Sequence, residues 1–211
     1  MRIAIIGVGN VGSALAAAST VAGHDVTVSA ASSDHAQEVA ASTGAQAATT
    51  NRDAVQGADA VVLAVPAGAV AGIVAELGDA LAGTVVLDAT NPLNDSYSDL
   101  TTSGVSAAEL LQQQAPEASV VKAFNTVFAG RLGSPVEDGQ PLDAFLAGDD
   151  AAAKGTAAQY AESLGFRVVD AGSLRMARSL EEMAFLNISL NAGNGWTWQS
   201  GWKLVGPTAS A

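Results

Sequence analysis

Near the amino terminus, Ile3-Ala-Ile-Ile6 runs straight into Gly7-Val8-Gly9-Asn10-Val11-Gly12, and an uncharged, alanine-rich stretch follows. Glycines spaced GxGxxG between a strand and a helix suit one kind of ligand. Gly7 permits a tight turn, Gly9 lets the backbone approach a pyrophosphate, and Gly12 lets the helix close onto the strand. The open N–H groups at Asn10 and Val11 then face the anion with the positive end of the helix dipole behind them. The pattern predicts a dinucleotide site that needs no cation.

The end of a second strand, Asp25–Ser29, selects among dinucleotides, and here it reads Val28-Ser29-Ala30-Ala31-Ser32-Ser33. A carboxylate there would bind the ribose hydroxyls of NAD; none is present. No arginine follows either, so Ser29, Ser32 and Ser33, with His35, are expected to take the extra phosphate of NADP by hydrogen bonds. Asp34 reaches a ribose only if the loop turns back. Three further strand ends, Ala64-Val65-Pro66, Asp88-Ala89-Thr90-Asn91-Pro92 and Lys122-Ala123-Phe124-Asn125-Thr126, are the expected walls of the nicotinamide pocket. Asn91 and Asn125 serve there either as partners of the carboxamide or second ring, or as turn residues.

Groups for acid–base chemistry are sparse. A dehydrogenase acting on a hydroxyl or carbonyl needs a proton donor beside the reacting oxygen, usually His, Lys or Tyr. The final apolar-periodic segment has none of these, His24 and His35 are expected near the adenosine half, Lys122 falls in a strand and Tyr97 in a loop. No catalytic side chain is therefore assigned. The favoured chemistry is direct hydride transfer between two redox rings, with solvent supplying the proton. The alternatives are a small carbonyl or imine reductase using NADPH, and a non-catalytic NADP-binding sensor. With no cysteine and two histidines, thiolate chemistry, iron–sulfur clusters and a metal site are not expected.

These residues must be positioned by elements, and short apolar runs alternate with longer alanine-rich stretches in the rhythm of βαβ units. Strands are expected at Ile3–Ile6, Asp25–Ser29, Ala60–Val65, Val85–Asp88, Val120–Phe124, Ala144–Ala147 and Arg167–Val169. Helices are expected at Val11–Ala22, Asp34–Thr43, Ala67–Leu81, Ala107–Gln114, Ala151–Leu164 and Leu174–Leu190. The fold class is α/β, a Rossmann-type doubly wound parallel sheet with a smaller C-terminal α/β segment. All ten aromatic residues lie at or after Tyr97, which together with composition divides the chain into a dinucleotide-binding domain at 1–125 and a substrate and dimerisation domain at 126–211.

The 211 residues carry a net charge of −12; residues 1–125 hold 12 acidic and 3 basic groups, residues 126–211 hold 9 and 6. That balance argues against nucleic acid as a partner and is compatible with a saline habitat. Both membrane-like apolar stretches, Ile3–Gly23 and Ala60–Ala75, are interrupted by glycine or proline. A cytoplasmic protein with no membrane partner is expected.

The glycine motif, Ala64-Val65-Pro66, Asp88–Pro92, Val121–Thr126 and the late Arg-bearing helix together resemble the NADPH-dependent reductases of coenzyme F420, a deazaflavin. The amino-terminal part also resembles the STEAP reductase domains and, more remotely, pyrroline-5-carboxylate reductases. The resemblance implies NADP and coenzyme F420 as small-molecule redox partners. It implies a nicotinamide near Val65, Pro66, Asn91, Pro92 and Ala123, a cleft closed by the C-terminal segment, and a homodimer. The arginine these reductases commonly place after the second strand is replaced by Ala31 and Ser32. Arg131, Arg175, Arg178 and Lys203 are the cations available to an anionic deazaflavin tail. Arg175 and Arg178 share a helical face, and exposure beside Glu181 and Glu182 on a solvated helix is the alternative.

Overall fold

The computed structural model describes residues 1–206; residues 207–211, the end of the expected second domain, lie outside the described residues. In chain order the elements are β1 (Arg2–Ile6), α1 (Asn10–Val21), β2 (Asp25–Ser29), α2 (Ser33–Thr43), β3 (Gln46–Ala47), α3 (Asn51–Val55), β4 (Ala60–Leu63) and α4 (Val70–Leu77). They continue with β5 (Val85–Asp88), α5 (Ala107–Gln114), β6 (Ser119–Lys122), α6 (Ala129–Leu132), the hairpin β7 (Val136–Glu137) and β8 (Gln140–Pro141), β9 (Asp143–Gly148), α7 (Ala151–Ser163), β10 (Arg167–Gly172) and α8 (Ala177–Asn194). Eight strands form one sheet in the order β10-β9-β6-β5-β4-β1-β2-β3.

The sheet's central strands are buried on both faces, so their alternation separates two apolar cores rather than a core from solvent. Ile3 and Ile5 of β1 pack with Leu15 and Ala16 of α1, Val39 of α2 and Tyr160 of α7. Ala4 and Ile6 point the other way, among Val55 of α3, Leu77 of α4, Leu111 of α5 and Ala177 of α8. This is the expected doubly wound arrangement. One difference is directional: β9 runs antiparallel to β6, pairing Val121 with Gly148, while β10 is parallel to β9. An apolar run identifies a buried strand but does not encode its direction.

Helix ends follow local chemistry. Ser106 and Glu109 form a reciprocal capping box at α5, Ser32 caps α2, and Gly44 ends α2 in the left-handed conformation. The helix expected over Ala67–Leu81 is α4 flanked by 3-10 turns at Ala67–Ala69 and Gly78–Leu81, because Gly78 (φ +51) breaks it. The strand expected to reach Phe124 stops at Lys122, and Phe124 takes φ +62, which re-aims the chain into the site. α3, α6 and the β7–β8 hairpin are too short to produce a periodic signal.

Beyond α8 the chain turns back across the molecule as a strap without regular structure. Two clasps hold it. Asn191 donates to Ser200 Oγ (2.7 Å) and accepts from the Trp198 N–H (3.2 Å), while Ser200 donates to Asn187 Oδ1 (2.7 Å). Farther along, the Asp143 N–H donates to the Trp202 carbonyl (3.0 Å), and buried Asp143 accepts from the Leu204 N–H (2.6 Å) and from both Nε and Nη2 of Arg167.

Candidate active site

The glycine loop is built as its spacing requires. A Cβ on Gly7, whose φ is +96, would lie 2.5 Å from the Ala64 carbonyl oxygen and 2.6 Å from Val65 Cγ1. A Cβ on Gly12 would collide with the Gly7 carbonyl oxygen. Gly9 differs from both. It caps α1 with no side-chain hydrogen bond, and a Cβ there meets nothing within 4 Å. The space over Gly9 at the start of α1 is therefore open, where the first N–H groups of the helix can meet an anion without a side chain.

At the end of β2, the serines expected to hold a phosphate are partly committed. Ser29 is buried and donates to Asn51 Oδ1 (2.7 Å), whose amide in turn donates to Glu76 (2.8 Å). Ser32 Oγ accepts the His35 N–H as the cap of α2, and the His35 ring lies 3.6 Å from Glu38. Ser33 stays exposed at the first turn of α2. His24 is not near this end. It precedes β2 at the amino edge of the sheet, where it pairs with Ser163 (2.7 Å) and packs edge-on against Tyr160.

A cavity of about 620 Å³ opens at the carboxyl ends of β5 and β6. Asn10, Val11, Asn91 and Asn125 line it, joined by Tyr97, Phe128, Asn187, Trp198 and Gln199. Of the expected walls, Pro66 is exposed on the approach and Val65 packs on Gly7; neither lines the cavity. Pro92 is buried in its turn, and Ala123 is fully buried in the core with its N–H on the Asp88 carbonyl. Asn91 and Asn125 hold each other: Asn91 donates to the Asn125 carbonyl (2.8 Å), and Asn125 donates to Asn91 Oδ1 (3.0 Å) and to the Leu180 carbonyl (2.9 Å). Both donor directions of Asn125 are thereby used, and its buried Oδ1 has no partner. The strap forms the outer wall, with Gln199 lying across Gly130 and Trp198 standing edge-to-face on Phe128 at 5.5 Å.

Beneath the asparagine pair lies a charged group that sequence reasoning missed. Lys122 is fully buried; its Nζ donates to Asp88 (3.0 Å) and the Thr90 carbonyl (2.6 Å) and lies 2.8 Å from Glu181 Oε1. Glu181 is buried rather than part of a solvated helix face, the alternative left open for Arg175 and Arg178, and its other oxygen accepts the Ala107 N–H (3.2 Å). Burial pushes the Glu181 carboxyl up, and Lys122 offsets part of that shift. One ammonium thus ties the turn after β5 to β6, α8 and the start of α5. Charges are buried only when paired in this way, a condition no local sequence pattern reveals.

The cations expected to meet an anionic tail are elsewhere. Arg131 pairs with Glu137 (3.0 Å), Arg178 grips both oxygens of Glu109, and Lys203 donates to the Pro141 carbonyl (2.6 Å). Arg175 lies with Arg178 on a groove along the other side of α8. Among the described residues there is no cluster of potential metal ligands and no helix long and apolar enough to cross a membrane.

Residues 2–92 match the family described as NADP oxidoreductase, coenzyme F420-dependent. The chain is 33% identical to the F420-dependent NADP reductase of Methanothermobacter thermautotrophicus over 215 residues, covering 92% of this chain and 90% of that one. The chain belongs to this reductase family. A provisionally assigned F420-dependent NADP reductase from Arthrobacter sp. FB24 superposes with a TM-score of 0.87 at 28% identity, covering 97% of this chain and all of that one. Metalloreductase STEAP3 of Rattus norvegicus is 36% identical over 105 residues, half of this chain but 21% of that protein. As in the F420-dependent reductases, then, the fold is a Rossmann-type α/β sheet, and the chain is an oxidoreductase.

Proposed function

We propose that this reductase transfers a hydride directly between NADP(H) and coenzyme F420. The observation that carries this reading is that Asn10 and Val11, at the start of the phosphate-binding helix, also stand in the cavity wall. A dinucleotide whose pyrophosphate rests over Gly9 therefore directs its far end into the cavity. Its adenosine half extends toward Ser29, Ser32 and Ser33, with Ser33 and the first N–H groups of α2 meeting the phosphate of NADP. The Asn91 pair holds Asn125 in one orientation, and its buried, unpartnered Oδ1 would accept from the amino group of a carboxamide seated against it. Val65 and Pro66 guide the approach, while Pro92 and Ala123 set the backbone beneath it. The bound dinucleotide supplies the hydride; the chain aligns two rings and excludes water under the strap. The carbon–hydrogen bond breaks at the nicotinamide and forms on the acceptor ring, two electrons move with it, and a ring nitrogen takes a proton from solvent. Residues 126–211 complete the acceptor side and are the proposed dimerisation surface.

The test is to mix the protein with NADPH and oxidised F420 and follow loss of deazaflavin absorbance, with NADH in parallel. Fast loss with NADPH supports the reading; no loss despite demonstrated NADP binding overturns it. One observation favours a carbonyl or imine reductase, namely that the Tyr97 phenol reaches the cavity rim. A general acid contributes about 10²- to 10⁴-fold. The hydride-transfer reading therefore expects Tyr97→Phe to lower kcat by less than about threefold, and a loss above about a hundredfold would favour the acid role.

A further inference from the structure

The buried cluster under the asparagine pair has one charge too many. Lys122 contributes one positive charge and Asp88 and Glu181 one negative charge each, so the ionised group is left with a net −1, and none of the three is more than 1% exposed. An uncompensated buried charge is costly, and a purely structural tie would be served by one carboxylate. Glu181 is the surplus member. Asp88 accepts from both the Lys122 ammonium and the Thr90 N–H (2.9 Å), whereas Glu181 Oε1 lies 2.8 Å from the ammonium without a directed hydrogen bond.

Little else in the surroundings cancels that charge. Toward Glu181, β5 presents Asp88, β6 presents Lys122, and α5 presents the Ala107 N–H and Glu109, which Arg178 neutralises. On α8 itself Glu182 is exposed, as are Arg175 and Asp149 beside the turn that precedes the helix, where Asp149 accepts the Leu174 N–H (2.9 Å). β9 packs there with the apolar run Ala144–Ala147.

The cluster stands directly behind the cavity wall. The Thr90 carbonyl that binds Lys122 lies between Ala89 and Asn91, both in the wall; Asn125 of the wall donates to the Leu180 carbonyl, next to Glu181; and Ala184, one turn farther along α8, lines the cavity too. The wall itself contains no Asp, Glu, Lys, Arg or His among the described residues. Loss of a hydride turns a neutral dihydronicotinamide into a cationic pyridinium ring, the electron pair leaving with the hydride for the acceptor. A fixed negative charge behind the wall acts differently on those two rings.

Resting on the reading that the nicotinamide enters this cavity, we infer that Glu181 poises the site toward oxidation, its surplus charge binding the cationic ring of NADP⁺ more tightly than the neutral ring of NADPH. It touches neither ring and is a positioning residue, acting through the field of its cluster.

The test is binding rather than turnover. Dissociation constants for NADP⁺ and NADPH are measured by calorimetry for the parent, Glu181→Gln and Asp88→Asn, each variant removing the surplus charge while keeping an acceptor oxygen. In either variant the ratio of the NADP⁺ constant to the NADPH constant should rise about tenfold. The adenosine half and its phosphate are common to both forms and drop out of the ratio. A merely structural role weakens both forms alike, so a ratio within about twofold of the parent's overturns the inference. If NADPH still reduces F420 in that case, the functional reading stands; if it does not, both fall. The parent alone gives a second readout, which needs no variant to fold. Burial pushes the Glu181 carboxyl up, against the pull of Lys122 and the Ala107 N–H and with Asp88 adding to the rise, so it takes a proton as pH falls from neutrality sooner than an ordinary carboxylate. NADP⁺ should lose its advantage over that range in the parent, with a flat ratio in Glu181→Gln. A parent ratio that stays flat down to acid unfolding, or a Glu181→Gln ratio that follows pH as the parent's does, overturns the assignment.

Discussion

The three glycines of the phosphate loop make separable contributions, because each faces different surroundings. Above Gly9 there is only open space, so Gly9→Ala should fold like the parent yet raise KM for NADPH about tenfold or more, the added methyl occupying the pyrophosphate's place. Gly12→Ala drives a methyl into the Gly7 carbonyl and should lower thermal stability as well as binding. Thermal melts beside NADPH titrations check both, and a Gly9→Ala protein with unchanged KM would contradict the placement. Lys122 is the residue on which the site floor depends. Lys122→Met leaves Asp88 and Glu181 buried and facing each other, and should cost about 3–5 kcal/mol in denaturant unfolding at neutral pH. A loss below about 1 kcal/mol would show that the cluster does not hold the strand ends.

At the scale of elements, α8 is tied to α5 by Arg178 gripping Glu109, which also closes the α5 capping box. Arg178 holds the Glu109 carboxyl down to about 2, with the Ser106 bonds assisting. A depressed carboxyl contributes stability above its unfolded range, and that contribution is lost as pH falls from about 4.5 toward 2. Because the pair is partly open to solvent, Glu109→Gln should cost only about 1–2 kcal/mol at neutral pH, converging on the parent near pH 2. Urea melts across that range test it; a gap independent of pH would contradict the assignment. Most elements were legible beforehand, since continuous apolar runs and alanine-rich stretches mark covered strands and helices directly. The glycine loop was legible because its spacing is local. The reversal at β9, the Lys122 cluster, the Ser29–Asn51 bond and the strap over the cavity were not, because each arises from partners distant in sequence. The cations followed the same logic: Arg131, Arg178 and Lys203 seemed free until their partners were placed.

At the scale of the whole molecule, 21 acidic against 9 basic groups set the electrostatics. Self-repulsion opposes the compact state and is screened by salt, so Tm should rise by at least about 5 °C between dilute buffer and about 1 M NaCl, where the screening length falls to about 3 Å. A flat or falling Tm would mean that paired charges outweigh the repulsion. The sheet gathers the strand ends, α1 presents open N–H groups, and the strap closes the far side, an arrangement that suits the proposed alignment of two rings, with no Asp, Glu, Lys, Arg or His in the cavity wall among the described residues. Isotopic tracing distinguishes the proposed direct hydride transfer from a route through solvent. With NADPH deuterated at the transferring position of the nicotinamide and F420 in ordinary water, direct transfer should leave one deuterium on the reduced deazaflavin ring carbon, read by mass spectrometry and NMR. Reduced F420 carrying solvent protium at that carbon would contradict it.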